Sequence, residues 1–554
     1  MRDDQRKDRP DNSRRRFLRD AGSAAVAFAA SGCSRLAHPI QHWFAVEDGS
    51  DCVGGFVGQN FERGHRLRGG ALPTPDTYAR TDVVIVGSGI SGLAAARGLR
   101  QRGVEDFQIF ELEDEAGGNS RGGNVAGFDC PWGAHYLPLP GPDAVEVATL
   151  LDEFGLRKTG ANGPEYDETQ LCHSPQERLY IAGRWQDGLL PVRGQDEAAF
   201  AAYRRFAELI RAARQPRAYT IPTAAAAWTP EHAALDAMTF SAWLDQHDLT
   251  HPALRWYLDY CCRDDYGAGS QQVSAWAGIH YFASRHGFSA PGDANEPDPD
   301  FEHDGLLTWP EGNARLARQL AMPVRDRLRT GALVLRVETL RDGVAVDVLD
   351  VASQRVTRWQ ARRAIIAVPL FIAARLVTPA PDALRAAAMR LPHAPWLVAN
   401  LYVDQPLVEH RHDAPLSWDN VLYGAKGLGY VNAANQLTRP YFVPTVLTYY
   451  RSLGDDPIAG RELLLDRGWD QWRQRILADL EPAHPNLRRK LRRLELMRYG
   501  HAMAIPAPGV RGDTALAALR ATTGSVLYAH SDLSGYSIFE EALHWGLRAG
   551  RLPL

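Results

Sequence analysis

Three glycines near residue 90 have the spacing of a phosphate-binding turn. Gly87, Gly89 and Gly92 follow the β-branched run at 82–86 and precede an alanine-rich stretch at 93–102. The first glycine permits a tight turn, the second lets the backbone approach a pyrophosphate, and the third lets helix and strand pack closely. The N-terminus of the helix then offers unpaired N–H groups to the phosphates. A strand, this turn and a helix in succession predict a dinucleotide-binding unit.

An acidic residue stands where such a unit contacts the ribose of its ligand. The predicted strand at 107–110 ends at Glu111, about 20 residues beyond the glycines, where a carboxylate accepts hydrogen bonds from ribose hydroxyls. Gly117 and Gly118 follow, and paired glycines let the chain pass close to a bound cofactor. We therefore expect Glu111 and both of these glycines to bind the cofactor.

A histidine turn downstream completes a pattern that resembles the flavin-containing amine oxidase superfamily. Glu111, the glycine pair at 117–118 and the Gly-Ala-His-Tyr turn at 133–136 match three segments of its pattern. The likeness is to polyamine oxidases and to spermidine-dehydrogenase-like members, and it implies FAD as the cofactor. Asn119 stands where the family has arginine, so we expect Arg121 to make the missing contact.

Three later segments extend the resemblance. Val334 lies in a predicted strand pair with its turn at 342–343, and it matches the valine whose backbone clamps the adenine. The segment 364–369 matches the strand that returns beside the flavin. Asp532 matches the acid that holds the flavin's ribityl-phosphate end, although His530 replaces the glycine that relatives carry before it.

The length of 554 residues predicts more than one domain, because a single hydrophobic core rarely grows so large. The resemblance implies an α/β fold in which a Rossmann-type FAD-binding domain carries an inserted α+β substrate domain. The expected boundaries are 1–33 for a signal segment, 34–80 for an N-terminal arm, 81–150, 301–370 and 491–554 for the FAD-binding domain, and 151–300 and 371–490 for the substrate domain.

The same resemblance, together with the chemistry of other side chains, supplies candidate substrate residues. In the family, a neutral amine binds in front of the flavin and its Cα–H passes as a hydride to flavin N5. His135 matches a histidine that lies near the substrate amine in polyamine oxidases, and its titration range suits amine chemistry. Asp264, Asp265 and Tyr266 would offer an ammonium negative charge and an aromatic face, or they form a charged loop beside packed rings. Further aromatic candidates, for a cavity wall or for the core, are Trp276, Tyr281, Trp418 and Tyr423.

One family feature is missing from the strand expected after Pro369. Many amine oxidases carry there a lysine that assists the reaction of reduced flavin with dioxygen, whereas residues 396–402 contain none. This absence favours a dehydrogenase, with dioxygen, a quinone and a cytochrome open as electron acceptors. The alternatives are a flavin oxidase or desaturase that acts on C–C bonds, of the carotenoid or porphyrinogen type, and a non-catalytic exported flavoprotein.

Composition argues against several other classes. The six cysteines form no CxxC pair and no haem-attachment motif, so metal clusters and covalent haem are not expected. None follows the pattern of covalent-flavin relatives near the C-terminus, so we expect non-covalent FAD. The formal net charge is -4, and residues 1–33 carry eight Arg or Lys against five Asp, so the remainder is more acidic still. That balance does not suggest a nucleic-acid partner and favours cationic substrates.

The first 33 residues have the order of an export signal. Paired arginines and Phe-Leu at 13–19 precede an apolar stretch at 21–30, which resembles a twin-arginine signal. A spanning helix requires about 20 apolar residues, so this stretch is too short to be one. Residues 30–33 resemble a lipobox, which would place a lipid on Cys33. We predict a periplasmic protein carried by the twin-arginine machinery, with Cys33 as a candidate membrane anchor.

Overall fold

The strand before the glycine turn lies at the centre of a five-stranded sheet in which every neighbouring pair is parallel. Val83–Val86 and its neighbour Arg363–Ile366 are buried throughout. Short apolar strands of this kind are typical of parallel sheets that are covered on both faces. The spatial order is Leu328–Arg329, Phe107–Phe110, Val83–Val86, Arg363–Ile366 and Val526–Tyr528.

The structure, a computed structural model, describes residues 51–58, 60–69, 72–161, 163–172, 176–291, 305–408, 413–433 and 444–554. The predicted twin-arginine segment and Cys33 lie outside these ranges. Within them, Asp51–Leu554 form one compact unit. No helix in the described ranges has both the length and the apolar character that a membrane span requires.

Two glycine-rich helices pack closely on one face of the parallel sheet. The helix predicted at 93–102 is present as Ile90–Gln101, and it lies against the C-terminal helix Phe539–Arg551. A Cβ atom on Gly546 would lie 2.2 Å from the carbonyl oxygen of Ser91, so only glycine permits this approach. The C-terminal segment is thereby held beside the phosphate-binding turn. Two further helices in this part of the chain are Val145–Glu153 and Ala314–Ala321.

A second five-stranded sheet contains the strand pair predicted around residues 342–343. Ala332–Leu340 pairs antiparallel with Gly343–Asp350, and Leu340 faces Gly343 across the turn, which confirms the prediction. Asp347 stabilises this sheet from a buried position, where it accepts hydrogen bonds from the guanidinium of Arg358. The order of its strands is Val377–Thr378, Ala332–Leu340, Gly343–Asp350, Val356–Ala361 and Thr77–Arg80.

The inserted regions supply six strands of an eight-stranded sheet. A seventh, Leu491–Ala504, comes from the segment that the predicted boundaries assign to the FAD-binding domain, so the inserted region extends beyond residue 490. His393–Val403 lies between two antiparallel neighbours, Leu491–Ala504 and Thr445–Ser452. The arm predicted at 34–80 contributes an edge strand here and another to the second five-stranded sheet. The spatial order is Val53–Phe56, Leu491–Ala504, His393–Val403, Thr445–Ser452, Tyr430–Asn432, Asp419–Leu422, Glu177–Ile181 and Arg184–Asp187.

A group of helices between residues 197 and 281 packs on the eight-stranded sheet through a large apolar core. Side-chain caps start several of them: Thr239 and Ser274 each accept the backbone N–H three residues on, which satisfies donors that a helix leaves unpaired. These helices are Glu197–Ala213, Pro230–Asp236, Phe240–Gln246, Pro252–Tyr266 and Ala275–Tyr281.

Shorter elements complete the fold. Within the described ranges, the other α-helices are Phe61–His65, Leu370–Leu376, Asp382–Arg390, Pro457–Asp466, Trp469–Leu480, Leu487–Lys490 and Thr514–Arg520. The same part of the chain has three two-stranded sheets, which pair Tyr136–Pro138 with Leu306–Thr308, Gly122–Val125 with Phe128–Pro131, and Arg157–Gly160 with Gly163–Tyr166. The architecture is the predicted Rossmann-type α/β domain with an inserted α+β region.

Candidate cofactor and substrate site

A cavity of about 450 Å³, here called the cofactor cavity, lies at the carboxyl ends of the parallel strands. Gly87 follows the central strand, Glu111 follows its neighbour on one side, and Ala367 and His530 follow the strands on the other side. Ligands of open α/β sheets bind at this edge. The strand order therefore sets an axis along the cavity, with Glu111 towards one end and His530 towards the other.

Glycine backbone forms the middle of the cofactor cavity. Gly87 has a φ of 92°, and a Cβ atom on it would lie 2.9 Å from the carbonyl oxygen of Ala367. Gly117 and Gly118 have φ values of 124° and 59°, and the backbone N–H of Gly117 donates to the Ser88 carbonyl. Gly89 lies against this pair in the cavity wall, so two glycine turns leave bare backbone facing the same space.

Gly92 has a different place, below the turn. A Cβ atom there would lie 2.0 Å from the carbonyl oxygen of Gly87, so this position requires glycine for helix packing. It does not line the cavity. The arrangement agrees with the distinct role that the spacing predicts for the third glycine.

Glu111 is held rigidly at its end of the cavity. Its Oε2 accepts hydrogen bonds from the backbone N–H of Ser88 at 2.8 Å and from the Ser88 hydroxyl at 2.7 Å. Its Oε1 accepts the backbone N–H of Glu113 at 3.0 Å. Val334 lines the same end of the cavity, next to Glu111. A fixed carboxylate and an apolar wall are what a ribose and an adenine require.

Two predicted cofactor residues lie behind the cavity surface. Arg121 is buried, donates from Nε to the Gly118 carbonyl at 3.2 Å and lies 3.5 Å from Glu113, so it braces the glycine pair. Asn119 lines the cavity in its place. Asp532 is wholly buried, and its neighbour His530 lines the cavity while Asp532 itself does not. Both charged residues therefore act on the cavity through their neighbours.

A second cavity of about 930 Å³, here called the outer cavity, adjoins the cofactor cavity. His135 lies at the junction, where its ring stacks on Tyr450 with centroids 4.3 Å apart. Burial lowers the pKa of His135 to about 3, so this imidazole is neutral at physiological pH. The residues that line both cavities are His135, Tyr136, Pro138, Asp264, Arg285, Tyr450 and Glu540.

Carboxyl groups and aromatic rings face the outer cavity together. Burial raises the pKa of Asp264 to about 7, and the nearby Asp265 and Glu177 act in the same direction. Burial likewise raises the pKa of Asp419, with Asp264 and Glu177 adding to the effect. Each of these neighbouring acids disfavours the ionisation of the others. A cationic ligand would stabilise their ionised forms, so the group favours a cation. The rings beside them are Tyr136, Tyr257, Tyr260, Tyr281 and Trp418.

The family described as flavin containing amine oxidoreductase matches residues 90–550, which is most of the chain. The chain belongs to this family. It is therefore an FAD-dependent oxidoreductase, and the fixed carboxylate, the paired glycine turns and the cavity at the strand ends fit that cofactor.

The names of individual relatives refer to different substrates. L-Amino acid dehydrogenase of Synechocystis sp. is 24% identical over 362 residues, which cover 64% of this chain and 69% of that protein. Putrescine oxidase of Kocuria rosea is 27% identical over 172 residues, covering 31% of this chain and 32% of the other. A solved structure of putrescine oxidase bound to putrescine shares the fold, with a TM-score of 0.60 and 18% identity over 85% of this chain and 98% of that one.

Arg285 is the main cation at the junction of this oxidoreductase. Its guanidinium is largely buried and pairs with Glu540, and Nη1 lies 3.8 Å from Asp265. Asp265 lines the cofactor cavity, and burial raises its pKa to about 6 although Arg285 opposes the shift. Two carboxyl groups thus compensate the single positive charge. No local sequence motif marks four residues of this site, so none of them was predicted: Arg285, Glu540, Asp419 and Glu177.

Other predicted substrate residues lie elsewhere. Tyr266 is buried, its hydroxyl donates to the Ala277 carbonyl at 2.9 Å, and it lines neither cavity. Its place is in the core, which corrects the predicted substrate contact. Trp276 is also a core residue, and Tyr423 is exposed.

The strand that lacks the family's lysine lies beside the cofactor cavity in the structure. His393–Val403 passes the cofactor cavity and places the indole of Trp396 in its wall. Among the residues that the structure describes, the lysines are Lys158, Lys426 and Lys490, and none lines either cavity. None of the five described cysteines lines the cofactor cavity.

Proposed function

We propose that this oxidoreductase oxidises a cationic primary or secondary amine of the polyamine type, with non-covalent FAD as hydride acceptor. The observation that carries the proposal is the outer cavity, in which Asp264, Asp419 and Glu177 face the same space as several aromatic rings. Carboxylates and ring faces both attract ammonium groups. Dioxygen is a poor acceptor in this proposal, because no described lysine lines the cofactor cavity.

Bound FAD would supply the two-electron acceptor for the hydride that leaves the carbon next to the amine nitrogen. The protein's own residues bind, orient and deprotonate the substrate. An ammonium must lose a proton before the hydride can leave. Asp264 lines the junction, where its carboxylate can accept that proton. Tyr136 and Tyr450 enclose the same junction. Neutral His135, stacked on Tyr450, orients the amine without exchanging a proton.

The charges at the junction favour amines over α-amino acids. A substrate carboxylate needs a cation with free hydrogen-bonding capacity, whereas Arg285 already pairs with Glu540 and lies beside Asp265. Asp264 adds further negative charge at the same place. Because one relative is named an L-amino acid dehydrogenase, amino acids remain the competing substrate class. Buried acids also disfavour an apolar C–C substrate, since they would lose hydration without gaining a partner.

An anaerobic substrate screen tests the proposal directly. Flavin absorbance is followed after mixing with spermidine, putrescine, butylamine, a set of L-amino acids and an isoprenoid. The proposal expects rapid bleaching by the di- and polyamines, slower bleaching by butylamine and little by the others. Bleaching by amino acids or by the isoprenoid, with none by amines, would overturn it.

Two further measurements test the cofactor and the acceptor. Acid precipitation should release the yellow chromophore into the supernatant, because FAD is proposed to be non-covalent; retention in the pellet contradicts this. Amine-reduced enzyme mixed with air should reoxidise slowly, while a quinone or cytochrome should reoxidise it quickly. Rapid reoxidation by dioxygen contradicts the dehydrogenase half of the proposal.

The location of the enzyme forms a separate part of the proposal. The paired arginines at 14–15 and the apolar stretch at 21–30 support export by the twin-arginine machinery, which carries folded proteins with cofactor inserted. A lipid on Cys33 would keep the periplasmic enzyme at the membrane surface.

A further inference from the structure

The N-terminal arm bridges two sheets beside the cofactor cavity. Val53–Phe56 is an edge strand of the eight-stranded sheet, and Thr77–Arg80 is an edge strand of the second five-stranded sheet. Between these strands, the helix Phe61–His65 runs directly into a short 3₁₀ helix at Arg66–Arg68. Residues 60–68 are here called the bridging segment. Strands on both sides of this segment are paired into the folded body, so its position is defined.

Two residues of the bridging segment belong to the wall of the cofactor cavity. Gly64 and Leu67 line it together with Glu111 and the glycine turns. Leu67 also packs against the apolar clusters that contain Leu333 and Val334, and both of these residues line the same cavity. A ligand that fills the cavity therefore contacts the arm as well as the parallel sheet.

Polar contacts hold the bridging segment on the three residues that follow the predicted ribose ligand. Nη1 of Arg63 donates hydrogen bonds to the Leu112 carbonyl at 2.9 Å and to the Asp114 carboxylate at 2.7 Å. Nδ2 of Asn60 donates to the Glu113 carboxylate at 2.8 Å. The bridging segment is therefore positioned against the nucleotide-binding part of the chain.

These attachments hold the bridging segment less firmly than the sheet is held. No residue of helix Phe61–His65 is buried, and the Asp114 side chain is 70% exposed, whereas strand Val83–Val86 is buried throughout. Exposed ion pairs contribute little to stability, and segments with few buried apolar contacts open at a low cost in free energy. The bridging segment can therefore open while the parallel sheet stays folded.

We propose that the bridging segment forms part of the FAD site and retains the bound cofactor, with Leu67 as its apolar contact. Bound FAD and the closed segment stabilise each other, because a contact between them contributes equally to both. Release of FAD then requires the segment to open. The inference rests on FAD binding and does not depend on the identity of the substrate.

The first test measures how fast FAD leaves the holoprotein. Each protein is diluted into an excess of a non-fluorescent flavin analogue, which prevents rebinding, and released FAD is followed by its fluorescence. Leu67→Ala and Arg63→Gln should each release FAD about tenfold faster than the wild type, the effect of one lost apolar or charge-assisted contact. Glu62→Gln alters an exposed residue of the same helix that does not line the cavity, and it should release FAD at the wild-type rate.

The second test uses the unaltered protein and asks whether FAD closes the segment. Trypsin cleaves after arginine, and the bridging segment contains Arg63, Arg66 and Arg68. Mass spectrometry of the fragments should show cleavage at these sites about tenfold slower in holoprotein than in protein stripped of FAD, because a closed segment resists the protease. Cleavage at Arg341, an exposed residue that does not line the cavity, is the reference for both samples.

Melting temperatures separate this role from a purely structural one. FAD raises Tm by binding the folded state, and the proposal expects a smaller gain in Leu67→Ala than in the wild type. A variant that only weakens the fold would have a lower Tm without FAD and an unchanged gain, which would overturn the proposal. Wild-type release rates in both variants, or equal cleavage of the segment with and without FAD, would also overturn it. Failure of the amine screen would leave these expected results as they are.

Discussion

The imidazole of His135 stacks on the ring of Tyr450, with centroids 4.3 Å apart, at the junction of the cofactor and outer cavities. Burial lowers the pKa of His135 to about 3, so the ring is a neutral imidazole near neutral pH and cannot serve as a general acid. His135→Ala should therefore slow flavin reduction by an amine about tenfold, through loss of positioning, with normal FAD content. A general acid or base would contribute about 10²–10⁴-fold. A loss in that range, or an altered pH profile, would contradict a positioning role.

The proposed role of Asp264 predicts a pH dependence of the reaction. Because the pKa of this carboxyl is raised to about 7, it accepts a proton well only above that pH. The rate of flavin reduction should rise through pH 7 in the wild type, and Asp264→Asn should lose this rise while retaining the rise due to substrate deprotonation. Stopped-flow reduction from pH 6 to 9 measures both. Asp187→Asn, which alters an exposed acid outside both cavities, is the matched control. An unchanged profile in Asp264→Asn rules out Asp264 as the proton acceptor.

The same substitution should also affect stability. Between its ordinary pKa of 3.8 and about 7, Asp264 binds more protons in the folded state than in the unfolded state, so its contribution to stability falls as pH rises. The gain in Tm of Asp264→Asn over the wild type should be larger at pH 8 than at pH 4. Calorimetry at both values measures the difference, and an equal gain at both would argue that the carboxyl is not held protonated by the fold.

Asp419 tests recognition of a second cationic group. It lines the outer cavity but not the cofactor cavity, close to Asp264 and Glu177. Asp419→Asn should raise the KM for putrescine about tenfold, the size of a lost charge-assisted contact, and change that for butylamine much less. Asp187→Asn again serves as the control. Equal losses for the diamine and the monoamine would show that Asp419 does not distinguish them.

Export is tested by substitutions in the signal segment, residues 1–33. Arg14→Lys combined with Arg15→Lys keeps the charge but removes the paired guanidiniums, so precursor should accumulate in the cytoplasm. Arg6→Lys with Arg9→Lys, two arginines outside the pair, should leave export normal. Cell fractionation followed by immunoblotting distinguishes these outcomes. Normal periplasmic accumulation of the first variant would refute the prediction, and Cys33→Ala separately tests whether the mature protein leaves the membrane fraction.

The nucleotide-binding segment could be predicted from the sequence because its signals are local. Gly87, Gly89 and Gly92 lie within six consecutive residues, and their roles follow from backbone geometry that any surrounding fold must respect. The strand pair around 342–343 was recognisable for the same reason, since a short turn forces its flanking strands to pair. Family resemblance then supplied the fold class, which the strand order of the parallel sheet agrees with.

The substrate site depends on contacts that no local pattern encodes. Arg285 and Glu540 are 255 residues apart and meet at the cavity wall, and His393 in that wall contacts Asp532, which lies behind it and 139 residues away. Tyr266 was predicted to face an ammonium from its position beside two aspartates, but helix Pro252–Tyr266 turns its ring into the core. The sequence by itself determined the cofactor-binding framework. Only the tertiary structure decided which charges are compensated and which face the substrate, because charge pairing and burial arise when distant segments pack together.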